Sequence, residues 1–488
     1  MVPRVQSLAP HSHVTDIAKY VPHHFLVADA PDDGTPPSPL TPPPTAEVVA
    51  RLRSRYGDVV SLKYSRTIWS AASDSAAAGV TSPTRKSQQW NEPDGEPLLL
   101  RLISATNLPK HDVFSHSDPF VTVDVLQPGR RTPLISANWP IKWDSANPIW
   151  DSCRLLGEAA ADSSALSLRL TFYDYDANVG VQTKELMGTA ETAIEALKTG
   201  APPTVLPLVT VKEPKGGLPA TVRVQRLPFA GLPRRKTVYL VRHGESVWNQ
   251  AQASKDVGAM LGDTDHPLNH VGRVQAEALQ ASLLAGGADA EALLASELLL
   301  CSPLTRAVQT CLIGLAPMLE GRAAGTLRLN PNLREKRNFG GKDSSGKWHG
   351  PALEEGVRQA MLTLYGDELA RGATLSAPTL DLSQVMEQWW ADAKESHEMV
   401  AERVTELLAQ VRFCEARSIV LVGHSHYFRE LLRNSCAADC TIGGSAEPPA
   451  ALLKKKLSNG GVARLEMDFE RDRPVTGVEL LFGTRLVS

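Results

Sequence analysis

The sequence predicts a multidomain protein, an all-β sandwich followed by a helix-covered, largely parallel α/β sheet. Three observations carry that reading. At 488 residues the chain is too long for one ordinary domain. Between residues 94 and 212, short apolar runs recur between turn signals, the spacing of a sandwich. From residue 236 onward, short apolar strands alternate with stretches of helical periodicity, which argues for a sheet layered by helices. A hydrophobic content of 42% and a charged content of 22% suit a globular protein.

Residues 1–93 show no packing pattern. Asp29–Pro44 is proline-rich and reads as an extended spacer. Ala46–Arg55 places Val48, Val49 and Leu52 on one side of a short helix, and Ser70–Ser87 returns to small and polar residues, the composition of disorder. A net charge of −3 gives no overall drive toward nucleic acid, so none is expected as a partner. Six cysteines (Cys153, Cys301, Cys311, Cys414, Cys436, Cys440) lack metal-ligand spacing and read as reduced thiols. No apolar run approaches the roughly 20 residues of a membrane span, and the N-terminus lacks a secretory core. The cytoplasm is the expected location.

In the second segment, Leu98–Ile103, Pro119–Leu126, Leu166–Tyr173 and Thr204–Leu208 read as strands. Asp112 and Asp118 flank one polar loop; Asp174 and Asp176 open another, with Glu185 following. Acid-bearing loops after separate strands are what a hard cation needs, because several carboxylate oxygens then converge from one end of a scaffold. The NLP opening the first loop, Ser117–Phe120 (SDPF), Asn147–Trp150 (NPIW) and Leu186–Gly188 (LMG) together resemble a C2 domain. The resemblance implies calcium ligands at Asp112, Asp118, Asp174, Asp176 and Glu185. It also implies an anionic phospholipid surface as partner, with calcium removing the repulsion between acidic loops and lipid. Val113, Phe114 and Val179 would lie near the loop tips, placed to dip into the interface. One departure stands out: Gln182 occupies the place of the family's last aspartate, and Glu185 falls later.

Residues 213–235 are rich in proline and glycine and read as a linker. The last domain opens on Thr237–Asn249 (TVYLVRHGESVWN), where a β-branched strand runs straight into Arg242, His243, Gly244 and Glu245. An arginine and a histidine at the carboxyl end of a buried strand sit where open α/β sheets hold ligands. A histidine beside a fixed cation suits attack on phosphate, the imidazole as nucleophile and the guanidinium as clamp. Leu298–Cys301 and Ser418–Val422 are further strands; Thr305–Leu319, Gln384–Val411 and Phe428–Asn434 have helical periodicity.

Arg242–Gly244, the Ser302–Arg306 element after the second strand, Leu333–Glu335, and Gly423–Ser425 resemble, in order, the motifs of the histidine phosphatase (phosphoglycerate-mutase-like) superfamily. Asp265–Ala276 (DHPLNHVGRVQA) resembles that family's helix entry. The resemblance covers about 250 residues and implies an α/β/α domain. It implies His243 as the phosphate-accepting nucleophile, and Arg242, Arg306, Asn249 and His424 around the phosphoryl oxygens. The backbone N–H of Ser425 adds a donor at a helix start, and Glu335 gives the leaving oxygen its proton, with Asp343 a second acid in reserve. Catalysis by this route takes no cofactor. The F-x-G-W-type stretch of the mutases has no counterpart at Gly258–Leu268, which favours a phosphatase, a histidine acid-type phosphomonoesterase, over a mutase-type phosphotransferase. A reading from another class is a lipid-binding adaptor with an inactive phosphatase domain. The expected protein is therefore a cytoplasmic hydrolase on phosphorylated substrates, brought to membranes peripherally by calcium.

Overall fold

The computed structural model describes residues 97–112, 116–158, 166–178, 181–214, 217–320, 327–337, 342–390 and 395–487. The proline-rich spacer, Ala46–Arg55, Ser70–Ser87, Val113, Phe114 and Val179 lie outside the described residues, and so do the side chains of Asp176 and Gln182.

The first unit is a sandwich of nine strands: β1 (Pro97–Thr106), β2 (Pro119–Leu126), β3 (Ile135–Trp139), β4 (Ile149–Glu158), β5 (Ser167–Asn178), β6 (Val181–Ala193), β7 (Thr204–Pro207), β8 (Val209–Thr210) and β9 (Thr221–Leu227). They form two antiparallel sheets, ordered β4-β1-β9-β7 and β3-β2-β5-β6-β8. Alternation sets the inner face: Val121, Val123 and Val125 of β2 are buried while Thr122 and Asp124 between them are not. Trp139, Trp150 and Phe172 fill the middle of the core.

The 213–235 stretch is not simply a linker. Its Thr221–Leu227 segment is β9, an inner strand of the first sheet, paired with both β1 and β7. The alternating Val222 and Val224 enter the core, and that period-two pattern overrides the flanking proline and glycine. The sandwich therefore runs through Leu227.

The second unit is built on an eight-stranded sheet ordered β13-β12-β11-β14-β10-β17-β18-β15. These strands are β10 (Arg235–Arg242), β11 (Leu298–Cys301), β12 (Leu327–Leu329), β13 (Leu380–Asp381), β14 (Ser418–Gly423), β15 (Cys436–Gly443), β17 (Val462–Asp468) and β18 (Val475–Leu481). A separate short ribbon pairs β16 (Lys456–Leu457) with β19 (Leu486–Val487). Only β17 runs against its neighbours. Both faces are covered: Tyr239 and Val241 of β10 enter one apolar core, Val238 and Leu240 the other.

Helices α1 (Val247–Ser254), α2 (Val257–Gly262), α3 (His270–Leu284), α4 (Ala288–Leu294), α5 (Thr305–Gly314), α6 (Ala316–Glu320), α7 (Pro351–Tyr365), α8 (Leu369–Leu375), α9 (His397–Phe413) and α10 (Ser425–Ser435) flank this sheet. The three expected helices have other bounds: Phe428–Asn434 extends to Ser425–Ser435 as α10. The Thr305–Leu319 helix breaks at Leu315 into α5 and α6. The Gln384–Val411 helix begins at His397, where the Ser396 hydroxyl accepts from the Met399 N–H as N-cap. Among the described residues no helix is long and apolar enough to cross a membrane.

Candidate active site

Four neighbouring strands end at one edge of the sheet. The β10 end carries Arg242 and His243, the β14 end leads into His424, the β11 end into Ser302, and β12 into Asn330–Glu335. Because these strands are parallel and adjacent, their carboxyl ends deliver the side chains to one crevice. The structure brings His243, His424, Arg242, Arg306 and Glu335 there, all buried.

The His243 and His424 rings lie 4.9 Å apart between centroids. His243 Nδ1 is 2.6 Å from the Gly244 carbonyl oxygen, which can only accept. Nδ1 therefore carries the hydrogen, and the neutral ring keeps its lone pair on Nε2. Burial, then the Arg306 and Arg242 charges, hold His243 well below the usual histidine range. Burial and Arg306 do the same to His424. His424 Nε2 sits 2.8 Å from the Ser302 hydroxyl, while its Nδ1 is buried with no protein partner.

Both arginines hold N–H groups in reserve. Arg242 donates to the Leu457 carbonyl, yet its Nε is buried and unpartnered; so is Arg306 Nη1. Burial pulls Arg242 down to about 10, with Glu335 pulling the other way. Buried guanidinium groups with unmet donors suit a multivalent oxyanion.

Glu335 faces the start of α10, where its carboxylate accepts from the Tyr427 N–H (3.0 Å) and the His426 N–H (3.4 Å), as well as from the Lys336 N–H (2.8 Å). The start of α10 thus serves Glu335. Ser425, its first residue, is buried beside His424. Asp343 is buried too, with Oδ1 unpartnered, and burial pushes it up to about 6 against the pull of Arg306. Asn249 caps α1 reciprocally with Ser246, so its carbonyl oxygen is spent there, and only its amide N–H end is left to donate to an anion.

The surroundings explain the glycines. A Cβ on Gly272 would lie 2.0 Å from the Glu245 carbonyl oxygen, and one on Gly244 would lie 2.5 Å from that of Gly272. The start of α3 thus packs backbone to backbone on the turn after His243. Sequence reasoning assigned no part to Ser302 or Arg403. Arg403 donates to the carbonyls of Asn332 (2.9 Å) and Arg334 (2.8 Å) and so holds the Glu335 segment. The available signal was an arginine beside Val400, Val404 and Leu407, which are buried in one core. Lys347 and Arg358 pair with Asp263 and Glu355.

In the sandwich loops, Asp118 and Asp174 adjoin: Asp174 Oδ1 accepts from the Asp118 N–H at 2.7 Å, and its Oδ2 is buried and unpartnered. Burial pushes Asp118 up to about 7, opposed by an Asp144 backbone hydrogen bond and reinforced by Asp174 and Asp112. Crowded carboxylates with an orphaned oxygen fit a cation. Glu185 does not join them. Its carboxylate pairs with His111 Nδ1 (2.9 Å) and Lys212 (3.7 Å). Among the described residues no three His, Cys, Asp or Glu side chains converge as a metal site.

Comparison with known proteins gives the following. The model of the histidine phosphatase superfamily (branch 1) matches residues 238–359, and that of the C2 domain residues 97–206. Synaptotagmin-6 of Mus musculus is 28% identical over 137 residues, 28% of this chain; the chain spans only 26% of that relative. A C2 domain of plant Extended Synaptotagmin 1 is 20% identical, covering 29% of this chain and 99% of that one with a TM-score of 0.23. A putative alpha-ribazole-5'-P phosphatase from Escherichia coli K-12 is 17% identical, covering 52% and 96% with a TM-score of 0.28. The chain carries a C2 domain followed by a histidine phosphatase superfamily domain.

Proposed function

We propose that the C-terminal domain hydrolyses phosphomonoesters through a phosphohistidine on His243. The observation that carries this reading is the Nδ1–Gly244 hydrogen bond, which leaves Nε2 as the lone-pair nitrogen of a neutral ring between two buried arginines. The Nε2 lone pair attacks phosphorus and the P–O bond to the leaving group breaks. Arg242, Arg306, His424 and the Asn249 amide hold the three equatorial oxygens, with the Ser425 N–H nearby. As general acid, Glu335 gives a proton to the departing oxygen. It then takes a proton from water as the hydroxide attacks phosphorus, and the P–N electron pair returns to Nε2. The arginines supply the positive charge, so the route takes no metal.

The C2 domain brings this site to anionic phospholipid when calcium binds Asp112, Asp118, Asp174 and Asp176, without Glu185. Calcium there neutralises the loops; it has no part in phosphoryl transfer. We infer a cytoplasmic, peripherally membrane-bound enzyme. The test is hydrolysis of an aryl phosphate in excess chelator by wild type and His243→Ala, with acid-labile radiolabel trapped on the protein. Activity and label present in the wild type and absent in the variant support the reading; label that persists in the variant, or activity lost to chelator, refutes it.

A further inference from the structure

Helix α9 makes contact on two sides. On one, Ala409 and Phe413 share an apolar cluster with Leu99, Cys153 and Leu155 of the sandwich strands β1 and β4. Beside it, the buried carboxylate of Glu406 accepts from the Arg154 guanidinium of β4. On the other side, α9 holds the segment that ends in Glu335. Arg403 clamps its carbonyls, as described, and donates to Glu395 at 2.8 Å, which also pairs with Arg334. Burial alone would raise Glu395, but these two guanidinium groups hold it down at about 2.

Gln410 touches both sides. Its Nε2 donates to the Asp151 carbonyl of β4 at 3.4 Å, and its Oε1 accepts from the side-chain amides of Asn330 (2.7 Å) and Asn332 (3.5 Å). A second brace lies nearby, where Glu387 accepts from Asn147 Nδ2 at 3.1 Å and from the Ser145 hydroxyl. Residues Asn330–Glu335 have only one 3-10 turn, Pro331–Leu333, and no strand partner of their own. The Asn330 N–H is tied to the Cys301 carbonyl of β11, Leu333 is packed in the core, and the start of α10 holds the Glu335 carboxylate. The carbonyls of Asn332 and Arg334 and the side chains of Asn330 and Asn332 are held by hydrogen bonds from α9. A charge pair buried across a domain boundary adds little stability but fixes geometry, because any other placement leaves a charge unmet.

We propose that the C2 domain is a working part of the phosphatase: docked on α9, it holds Glu335 where proton transfer needs it, with Gln410 and the Arg154–Glu406 pair as positioning residues. The inference rests on Glu335 being the proton donor. A displaced donor matters only where the leaving group needs a proton. Loss of the brace therefore slows alkyl phosphates and spares dinitrophenyl phosphate, whose leaving group departs as a stable anion.

The experiment measures kcat/KM on glycerol phosphate and on dinitrophenyl phosphate for the full chain and for Gln410→Leu, Arg154→Glu, the Arg154→Glu/Glu406→Arg double variant, and Glu335→Gln. The expected result is about a tenfold loss on glycerol phosphate for the first two, part of the ~10²–10⁴ that general acid catalysis supplies, with less than about a twofold loss on dinitrophenyl phosphate. The charge-swapped pair regains most of it. If Glu335→Gln is selective for leaving group and the interface variants are not, the inference falls alone. If Glu335→Gln loses both substrates alike, the acid assignment falls and takes the inference with it. Should Arg154→Glu unfold the chain, Gln410→Leu, which removes one amide without changing size greatly, decides the matter.

Discussion

Replacing Gly272 by alanine tests whether the start of α3 sets the position of the nucleophile. The added Cβ would meet the Glu245 carbonyl oxygen at 2.0 Å, about 1.4 Å inside the 3.4 Å at which ordinary contact begins. That oxygen is backbone and has no rotamer to give. It already accepts from the Asn269 N–H, while the Glu245 N–H is held by Gln275 Oε1 and the Gly244 N–H by Thr310. Relief therefore requires the helix to retreat by more than ~1 Å and to draw the turn after His243 with it. Overpacking of this kind costs ~1–3 kcal/mol of stability, and a displacement of ~1 Å at the reacting atoms costs ~100-fold in rate. The assays are a denaturant midpoint and kcat/KM on an aryl phosphate, with Gly262→Ala as control, since nothing lies within 4 Å of a Cβ there. A Gly272→Ala protein with wild-type kcat/KM would refute the claim that this backbone contact positions His243.

Three further outcomes are expected. Arg306→Ala, which removes a buried guanidinium with an unmet Nη1 donor, lowers kcat/KM by ~10²–10³ and weakens vanadate inhibition; inhibition at wild-type strength would count against Arg306 as a clamp. His243 and His424 are both held well below the ordinary range, so below the unfolded-state value of ~6.5 the unfolded chain binds protons that the folded site refuses. Stability is then unaffected above that pH and falls below it by up to about 1.4 kcal/mol per pH unit per histidine. Asp118 and Asp343, both raised by burial, act in the opposite direction over the same window. The check is therefore the difference in denaturant midpoint between wild type and the His243→Ala/His424→Ala variant; a difference unchanged between pH 7 and 5 would contradict this. In calcium-dependent liposome co-sedimentation, Asp174→Asn abolishes binding and Glu185→Gln leaves it intact, because Glu185 is already paired with His111 and Lys212; the reverse pattern would restore Glu185 as a ligand.

The candidate site was legible where strand and chemistry are contiguous. The apolar runs before His243, Ser302 and His424 announce buried strands, and the polar residues that follow must emerge at their ends. Elsewhere the signal was mixed. In TVRVQRL, four polar positions and flanking prolines masked an inner strand that pairing with β1 and β7 reveals. The early start expected for α9 came from helical periodicity that runs on through Gln384–Glu395, where the structure places a 3-10 turn at Ser383–Val385 and the Ser396 N-cap instead. Trp389 and Trp390 pack on the core that α7 shares and sit close to Gly346, where a Cβ would meet them at 2.4 Å. Glu185 looked like a ligand by sequence distance, but nothing in sequence announces that His111, 74 residues earlier, will take its carboxylate. Long-range pairing of that kind, like the bond from Gln410 to Asp151, is a property of the folded chain alone.

Because β9 belongs to the sandwich, only residues 228–234 separate it from β10. Seven residues reach at most ~25 Å even when fully extended. Under the proposed function, this short tether and the docking on α9 together keep the chemistry within a few nanometres of wherever the sandwich lands. On a lipid surface such a leash would select substrates by address as much as by structure, favouring phosphate groups carried on or just above the bilayer. Gly231, where a turn with φ of 86° interrupts the chain, lies between Phe229 and Leu232, which pack on the cluster joining α9 to β1 and β4, so residues inserted there would loosen that packing as well as lengthen the reach.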